Sequence, residues 1–297
     1  MTETGMHEES GMKPTDYDTE NVEITWCPGC GNFAIRKILR QALAELGIRP
    51  RDLVLVSGIG QAAKIPQYLK CNYFNGLHGR ALPVATAVKV ASPGLSVIAI
   101  SGEGCMYGEG GNHFIHAIRR NPDITQIVHD NMVYGLTKGQ ASPTSRLGFK
   151  TPVQVGGVVL EPLDPIAMAL ALDASFVARA YCGHIDKTVE IVKRAIAHKG
   201  YALVDILQPC VSFNRLNDRD WFDENTAYLE DDYVPDSREK AFSRAITKDK
   251  LLLGVFYQRE AGKSFEELVR PGEPAAPLYE YEVDTGALEA LIDSMRG

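Results

Sequence analysis

The order of residues between Ser96 and Gln140 restricts this chain more than any other feature. An apolar run, Ser96-Val-Ile-Ala-Ile-Ser101, breaks at Gly102-Glu103-Gly104-Cys105, and a second glycine cluster follows at Gly108, Gly110 and Gly111. Asn112 to Arg120 has helical spacing, and a second apolar run, Ile124 to Val128, ends in Asp130-Asn131-Met132-Val133-Tyr134-Gly135-Leu136-Thr137. Strand, glycine turn, helix, strand and polar turn is the grammar of a βαβ unit. Parallel strands joined in this way send their carboxyl ends to one edge, where ligands bind. Both polar turns lie on that edge, so they can face each other across one ligand. Glycines let backbone N–H groups approach a diphosphate, and the following helix presents its positive end. Glu103 and Asn131 add oxygen donors of the kind magnesium takes beside phosphate oxygens. The glycine turn by itself does not separate a cofactor site from a plain loop.

The rest of the chain extends the alternation. Ala34, Ile35, Ile38, Leu39, Ala42, Leu43 and Leu46 recur at helical spacing, with Gly47 as the stop. Leu53 to Val56 reads as a buried strand ending in Ser57-Gly-Ile-Gly60. Gln61 to Leu69 and Ala81 to Ala91 read as helices. A helix over Pro165–Leu172, a strand over Phe176–Ala180, a helix over Ile185–Lys199 and a strand over Tyr201–Leu207 follow. The expected fold class is α/β, a mostly parallel sheet with helices on both faces. Gly148 to Glu161 is irregular and is expected to form a mobile flap. Residues 1–20 are polar and acidic without apolar period, so a mobile tail is expected there. Residues 21–215 make the ligand-binding domain. Residues 216–297 change pattern, with a Pro-rich stretch at 271–277 and a terminal helix over 288–295, and are read as a partner-contacting extension.

At 297 residues the chain can bury a sizeable core. Its formal charge of -7, without a basic cluster, argues against a nucleic-acid surface. No run reaches the apolar length that spans a bilayer and no signal peptide is visible, so no membrane association and a cytoplasmic location are expected. Six cysteines, at 27, 30, 71, 105, 182 and 210, do not suggest a disulfide framework in a reducing compartment. Cys27-Pro-Gly-Cys30 before a helix suggests a metal or redox site, because the helix dipole stabilises thiolates there. From the residues alone, a structural zinc site and a redox pair both stay open.

Larger words are more specific. Trp26-Cys-Pro-Gly-Cys-Gly31, Ser57-Gly-Ile-Gly60, Leu77-His-Gly-Arg80, Gly111-Asn-His-Phe-Ile-His-Ala-Ile-Arg-Arg-Asn121 and Tyr134-Gly-Leu-Thr-Lys-Gly-Gln140 together resemble the beta subunit of 2-oxoacid:ferredoxin oxidoreductases. The Glu103 and Asn131 turns are similar to the thiamine diphosphate motif. The match runs over roughly residues 20 to 215. The resemblance implies thiamine diphosphate, Mg2+ and a [4Fe–4S] cluster, coenzyme A and a 2-oxoacid as substrates, and an alpha subunit and ferredoxin as partners. It implies magnesium ligands at Glu103, Asn131 and the Val133 carbonyl. Cofactor contacts would come from Ile59, Gly60, Gln61, Ala62, His78, Gly102, Gly104, Cys105, Gly135, Leu136 and Thr137. Lys138 and Lys64 are candidate substrate contacts, Lys138 for the distal carboxylate of 2-oxoglutarate, and His78 joins them beside the cofactor. Cys27, Cys30 and Cys210 carry over as cluster ligands.

Two departures stand out. The family has a cysteine where this chain has Gln61, and an Asp where it has Glu103. Cys71 is the expected fourth ligand, with Cys105 as the alternative. A glutamate that activates the cofactor comes from the alpha subunit in that family, and none can be named here. A zinc-stabilised interaction module and a non-redox thiamine diphosphate enzyme are the competing readings.

Overall fold

The computed structural model describes residues 11–247, 249–260, 262–270, 276–282 and 284–296. The strands are β1 (Leu53–Ser57), β2 (Asn72–Asn75), β3 (Ser96–Gly102), β4 (Thr125–Asp130), β5 (Phe176–Tyr181), β6 (Ala202–Leu207), β7 (Thr226–Tyr228) and β8 (Leu251–Gln258). The helices are α1 (Gly31–Glu45), α2 (Ala81–Ala91), α3 (Gly111–Arg120), α4 (Pro165–Ala171), α5 (Ile185–Ala197), α6 (Arg219–Asn225), α7 (Arg238–Ala245), α8 (Phe265–Val269) and α9 (Thr285–Met295). The strands form one sheet in the order β2-β1-β3-β4-β6-β5-β8-β7. The six strands from β2 to β5 are parallel, and β8 joins β5 antiparallel. The expected α/β class with a mostly parallel sheet is the architecture observed.

The pleat sorts the core into two layers. Leu53 and Leu55 of β1 face α1 and α5, packing with Ile38, Leu39, Val189 and Val192. Val54 and Val56 face the opposite layer, with Leu82, Phe114 and Ile118 of α2 and α3. Central strands buried on both faces need continuous apolar runs, which is why β3, β4, β5 and β6 are readable from sequence.

Three strands escape that reading. β2 lies on the sheet edge and all four of its residues are exposed, so no apolar run marks it. β7 and β8 lie beyond residue 215, in the stretch read as an extension, and they enlarge the sheet itself. Gln61 to Leu69, expected to be a helix, is a 3-10 segment over Ala62–Tyr68 with Pro66 inside it. Proline cannot donate the N–H that an α-helix needs there.

The mobile tail expected over residues 1–20 lies partly outside the described residues, and its described part is anchored. Tyr17 is fully buried and donates to the Ile48 carbonyl, and Asp18 pairs with Arg36 and Arg40 at 2.8 and 2.9 Å. Most of the Pro-rich 271–277 stretch also falls outside the described residues.

Candidate functional site

Because β1 to β6 run parallel, their carboxyl ends deliver their loops to one edge. β3 ends at Gly102, and Glu103 opens a π-helical turn over Gly104–Glu109. Glu103 is buried, and its Oε1 accepts the Val133 N–H at 3.0 Å. Asn131, just past β4, accepts the same N–H through Oδ1 at 3.2 Å. The Ser142 side chain also hydrogen-bonds to Glu103, and the two acceptors together offer oxygen donors of the kind a hard cation takes. Burial pushes the Glu103 carboxyl up to about 7, and Asp205 nearby adds to the effect. A divalent ion would reverse that balance.

The Asn131 turn is held from below. Asp130 Oδ1 accepts from the Met132 N–H at 3.1 Å and from Thr144 Oγ1 at 2.7 Å, and Ser145 Oγ donates to the Met132 carbonyl at 2.6 Å. Tyr134 then folds back onto Gly104. Its hydroxyl donates to the Gly104 carbonyl at 3.1 Å, and a Cβ on Gly104 would fall 2.1 Å from the ring. Only glycine permits that approach.

The β1 and β2 loops close the other side. A Cβ on Gly58 would meet Cys105 Sγ at 2.4 Å, and the Gly79 N–H donates to the same sulfur at 3.2 Å. The His78 ring lies 6.2 Å from that of Tyr134. His78 Nδ1, Gln61 Oε1 and Ser101 Oγ are buried without a hydrogen-bond partner. Unpaired polar atoms beside glycine-rich turns are suited to polar ligands. Gly60 takes φ +126, and Ala62 is buried 3.9 Å beneath the Cβ position of Gly102. Ile59 and Leu136 are exposed at the rim. Gly135 and Thr137 belong to a turn closed by the Gly139 N–H on the Tyr134 carbonyl at 3.0 Å.

The two lysines fare differently. Lys138 sits in that turn at φ +69, on a cavity of about 690 Å³ also lined by Lys150, Phe213 and Arg215. Lys64 donates to Thr25 Oγ1 at 3.2 Å.

Three thiols gather beside this edge. Cys30 is the N-cap residue of α1 and Gly29 takes φ +80 before it, folding Cys27 back so that its carbonyl accepts the Cys30 N–H at 3.0 Å. Burial pushes the Cys30 thiol up to about 11, with Cys210 and Cys27 close enough to add to it. Ser212 Oγ donates to Cys27 Sγ at 3.1 Å. Among the described residues no three His, Cys, Asp or Glu side chains close tightly round a single ion. Cys27, Cys30 and Cys210 are nevertheless thiols of the kind an iron–sulfur cluster takes, on two segments joined by the Ser212–Cys27 hydrogen bond.

Cys71 does not join them, which corrects the expectation. It immediately precedes β2, and Asn72 pairs in register with Val54 near the start of β1. At about 3.3 Å per residue, the carboxyl edge is roughly 13 Å further along the strand. Its sulfur lies 3.7 Å from the Leu69 carbonyl instead.

A buried polar network behind the site was missed. Tyr107 donates to Asp205 Oδ1 at 2.9 Å, and Arg179 Nε donates to Oδ2 at 3.3 Å. The acid in the otherwise apolar run Leu203-Val-Asp-Ile-Leu207 was the available signal.

Comparison with known proteins agrees with this geometry. Residues 57–206 match the thiamine pyrophosphate enzyme C-terminal TPP binding domain, and residues 210–273 match the family formed by the C-terminal part of pyruvate ferredoxin oxidoreductase beta subunits. The chain is 42% identical over 264 residues to the 2-oxoacid:ferredoxin oxidoreductase subunit beta of Saccharolobus solfataricus, covering 84% of this chain and 87% of the relative. It is 34% identical over 244 residues to the 2-oxoglutarate synthase subunit KorB of Methanocaldococcus jannaschii, covering 82% and 90%. The 2-oxoglutarate:ferredoxin oxidoreductase from Magnetococcus marinus, solved with 2-oxoglutarate, coenzyme A and succinyl-CoA bound, superimposes with a TM-score of 0.88 at 32% identity, covering 98% of this chain and 99% of that one. No helix among the described residues is long and apolar enough to cross a membrane. The chain belongs to the beta subunits of the 2-oxoacid:ferredoxin oxidoreductases.

Proposed function

We propose that this chain binds thiamine diphosphate and Mg2+ across the Glu103 and Asn131 turns and serves the reversible, coenzyme A-dependent oxidative decarboxylation of a 2-oxoacid, with 2-oxoglutarate as substrate. The observation that carries the reading is the meeting of Glu103 Oε1 and Asn131 Oδ1 at the single N–H of Val133. Glu103, Asn131 and the Val133 carbonyl would hold the ion. Gly102, Gly104 and Cys105, with Ile59, Gly60 and Ala62, His78 and Gly135 to Thr137, would surround the cofactor. When bound, thiamine diphosphate supplies the carbon nucleophile and the electron sink.

The protein's share is placement. Tyr134 braces Gly104 and keeps the backbone of that turn in place for a diphosphate. His78, with Nδ1 unpaired, can hold a proton beside a substrate oxygen. Lys138 presents a cation where a distal carboxylate can be received, and Lys150 and Arg215 line the same cavity. Three cations round one cavity favour a dicarboxylic 2-oxoacid over pyruvate, and the Magnetococcus relative was solved with 2-oxoglutarate bound. Cys27, Cys30 and Cys210 would hold the iron–sulfur cluster through which electrons leave to ferredoxin.

In this reading the enzyme is complete only with its alpha subunit. Leu288, Leu291 and Met295 stand exposed along α9, which supports a partner contact for the C-terminal segment. The irregular 148–161 segment, with exposed Val153, Val155 and Val159, would be the flap beside the Lys138 cavity.

Binding and colour test the reading together. Thiamine diphosphate should bind only with Mg2+ present, and the anaerobically purified alpha–beta pair should be brown and oxidise 2-oxoglutarate in preference to pyruvate. The single chain should bind cofactor weakly and turn over no substrate. A colourless pair that binds zinc, or full turnover by the beta chain alone, refutes it.

A further inference from the structure

The thiolates that can reach the iron fall one short of a full set, a point that rests on the iron–sulfur reading above. Cys27 and Cys30 share one turn at the start of α1, Ser212 Oγ ties the segment that carries Cys210 to Cys27 Sγ at 3.1 Å, and a [4Fe–4S] cluster takes four ligands. The three other cysteines are each committed elsewhere. Cys71 lies towards the opposite edge of the sheet. Cys105 takes the Gly79 N–H on its sulfur and is wedged against Gly58. Cys182 stands at the right edge, just past β5, within electrostatic reach of Cys30. Its sulfur, however, is packed into the apolar core beneath α1, where a Cβ on Gly31 would come within 3.2 Å of it. Cys182 is thus buried, whereas Cys27 is exposed.

The same edge offers Gln61 instead. Its backbone carbonyl accepts the Trp26 indole N–H at 2.8 Å, which ties it to the residue before Cys27. Trp26 is clamped edge-on between Phe33 of α1 and Tyr68, so the tie holds the two loops together. The Gln61 side-chain Oε1 is buried and has no hydrogen-bond donor. A buried amide oxygen without a partner is uncommon and calls for a reason.

We propose that the cluster is held by three thiolates, Cys27, Cys30 and Cys210, and that Gln61 faces the fourth iron with a neutral amide oxygen. Thiolate sulfur is the soft ligand that iron–sulfur clusters select, and an uncharged carbonyl oxygen is a poor substitute. The fourth iron is therefore exchangeable. Removing one electron from a [4Fe–4S]2+ cluster at such a site gives a 3+ cluster that releases one Fe2+ and becomes [3Fe–4S]+. The electron reduces the added oxidant, and sulfide stays bound.

The test uses the complete alpha–beta complex, purified anaerobically and titrated with ferricyanide. Iron and sulfide are counted per beta chain, and EPR follows the cluster. Wild type should lose one iron in four, keep its sulfide, develop the signal of a three-iron cluster and recover when Fe2+ and a reductant are added. Gln61→Cys should keep all four irons and show no such signal. Wild type that retains every iron through the oxidation overturns the proposal, and so does a Cys182→Ser or Cys71→Ser complex that loses its cluster while still binding thiamine diphosphate. If Gln61→Cys fails to assemble, the wild-type iron loss decides on its own. Wild type without iron or sulfide that still binds thiamine diphosphate defeats the iron–sulfur reading itself, a result separable from all the others.

Discussion

Asn214 donates from Nδ2 to the backbone carbonyl of Asn131 at 3.1 Å, so the segment that follows Cys210 holds the loop that carries Asn131. Asn214 also accepts the Asn217 N–H at 3.2 Å and is almost fully buried, which fixes its rotamer. Phe213 beside it packs on Gly139, with a contact of 3.3 Å to the Cβ position there. The thiol-bearing segment and the Asn131 turn are thus parts of one mechanical unit.

Asn214→Ala should loosen that unit. Losing a buried hydrogen bond and leaving a carbonyl unpaired costs about 1–3 kcal/mol. Thiamine diphosphate affinity in the presence of Mg2+, measured by calorimetric titration, should fall roughly 5- to 150-fold, with the iron content of the complex unchanged. Affinity equal to wild type would show that Asn131 is positioned without this contact.

Gly104→Ala tests the stacking of Tyr134. The added methyl would overlap the ring, because its Cβ lies 2.1 Å from Tyr134 Cε1. Overpacking of this kind costs about 1–3 kcal/mol. Denaturant unfolding should report that loss, and the displaced ring should abolish cofactor binding. Adding Tyr134→Ala to Gly104→Ala should restore most of the stability, since the three nearest atoms to that Cβ all belong to the ring. No recovery in the double variant would mean that the backbone, not the ring, is strained.

These contacts show what a reader of residues can and cannot reach. Central strands announced themselves because burial on both faces demands runs such as Ser96 to Ser101. The edge strand Asn72–Asn75 has no such demand on it and stayed hidden. Glu103 and Asn131 were legible because βαβ topology sends both turns to one edge. Cys71 was misplaced because nearness along the chain to Gln61 and His78 says nothing of register, and β2 pairs with β1 so that Cys71 starts the strand instead of ending it. Asn214 and Tyr134 could not be singled out, since their roles consist of contacts across 83 and 30 residues.

Asp205 supplies a prediction about stability alone. Its side chain is 1% exposed and meets Arg179, itself 6% exposed, at 3.3 Å. Burial raises the Asp205 carboxyl from its ordinary value, and Arg179 and the Tyr107 hydroxyl pull it back. Asp205→Ala strands the guanidinium with Asp164, 3.4 Å away and partly exposed, as its remaining carboxylate. Removing one member of a buried pair costs about 3–5 kcal/mol. Equilibrium unfolding of Asp205→Ala should show a loss of that size, while a change below about 1 kcal/mol would mean that water reaches Arg179.

Glu103 should give two effects of opposite sign. Its folded-state pKa of about 7 lies above the ordinary carboxyl value of 4.5, chiefly through burial. The folded protein therefore holds a proton that the unfolded chain releases, and metal-free stability falls as pH rises between about 4.5 and about 7. The full cost at higher pH is on the order of 3 kcal/mol. Glu103→Gln keeps an acceptor for the Val133 N–H but cannot ionise, so the metal-free variant should be more stable than wild type at pH 8 and nearly equal to it at pH 4. With Mg2+ and thiamine diphosphate the order should reverse, because a neutral amide replaces the charged ligand that a hard cation prefers. Thermal melts at both pH values, with and without Mg2+ and cofactor, read all four conditions. A variant stabilised by Mg2+ and cofactor as strongly as wild type would remove Glu103 from the ion's coordination.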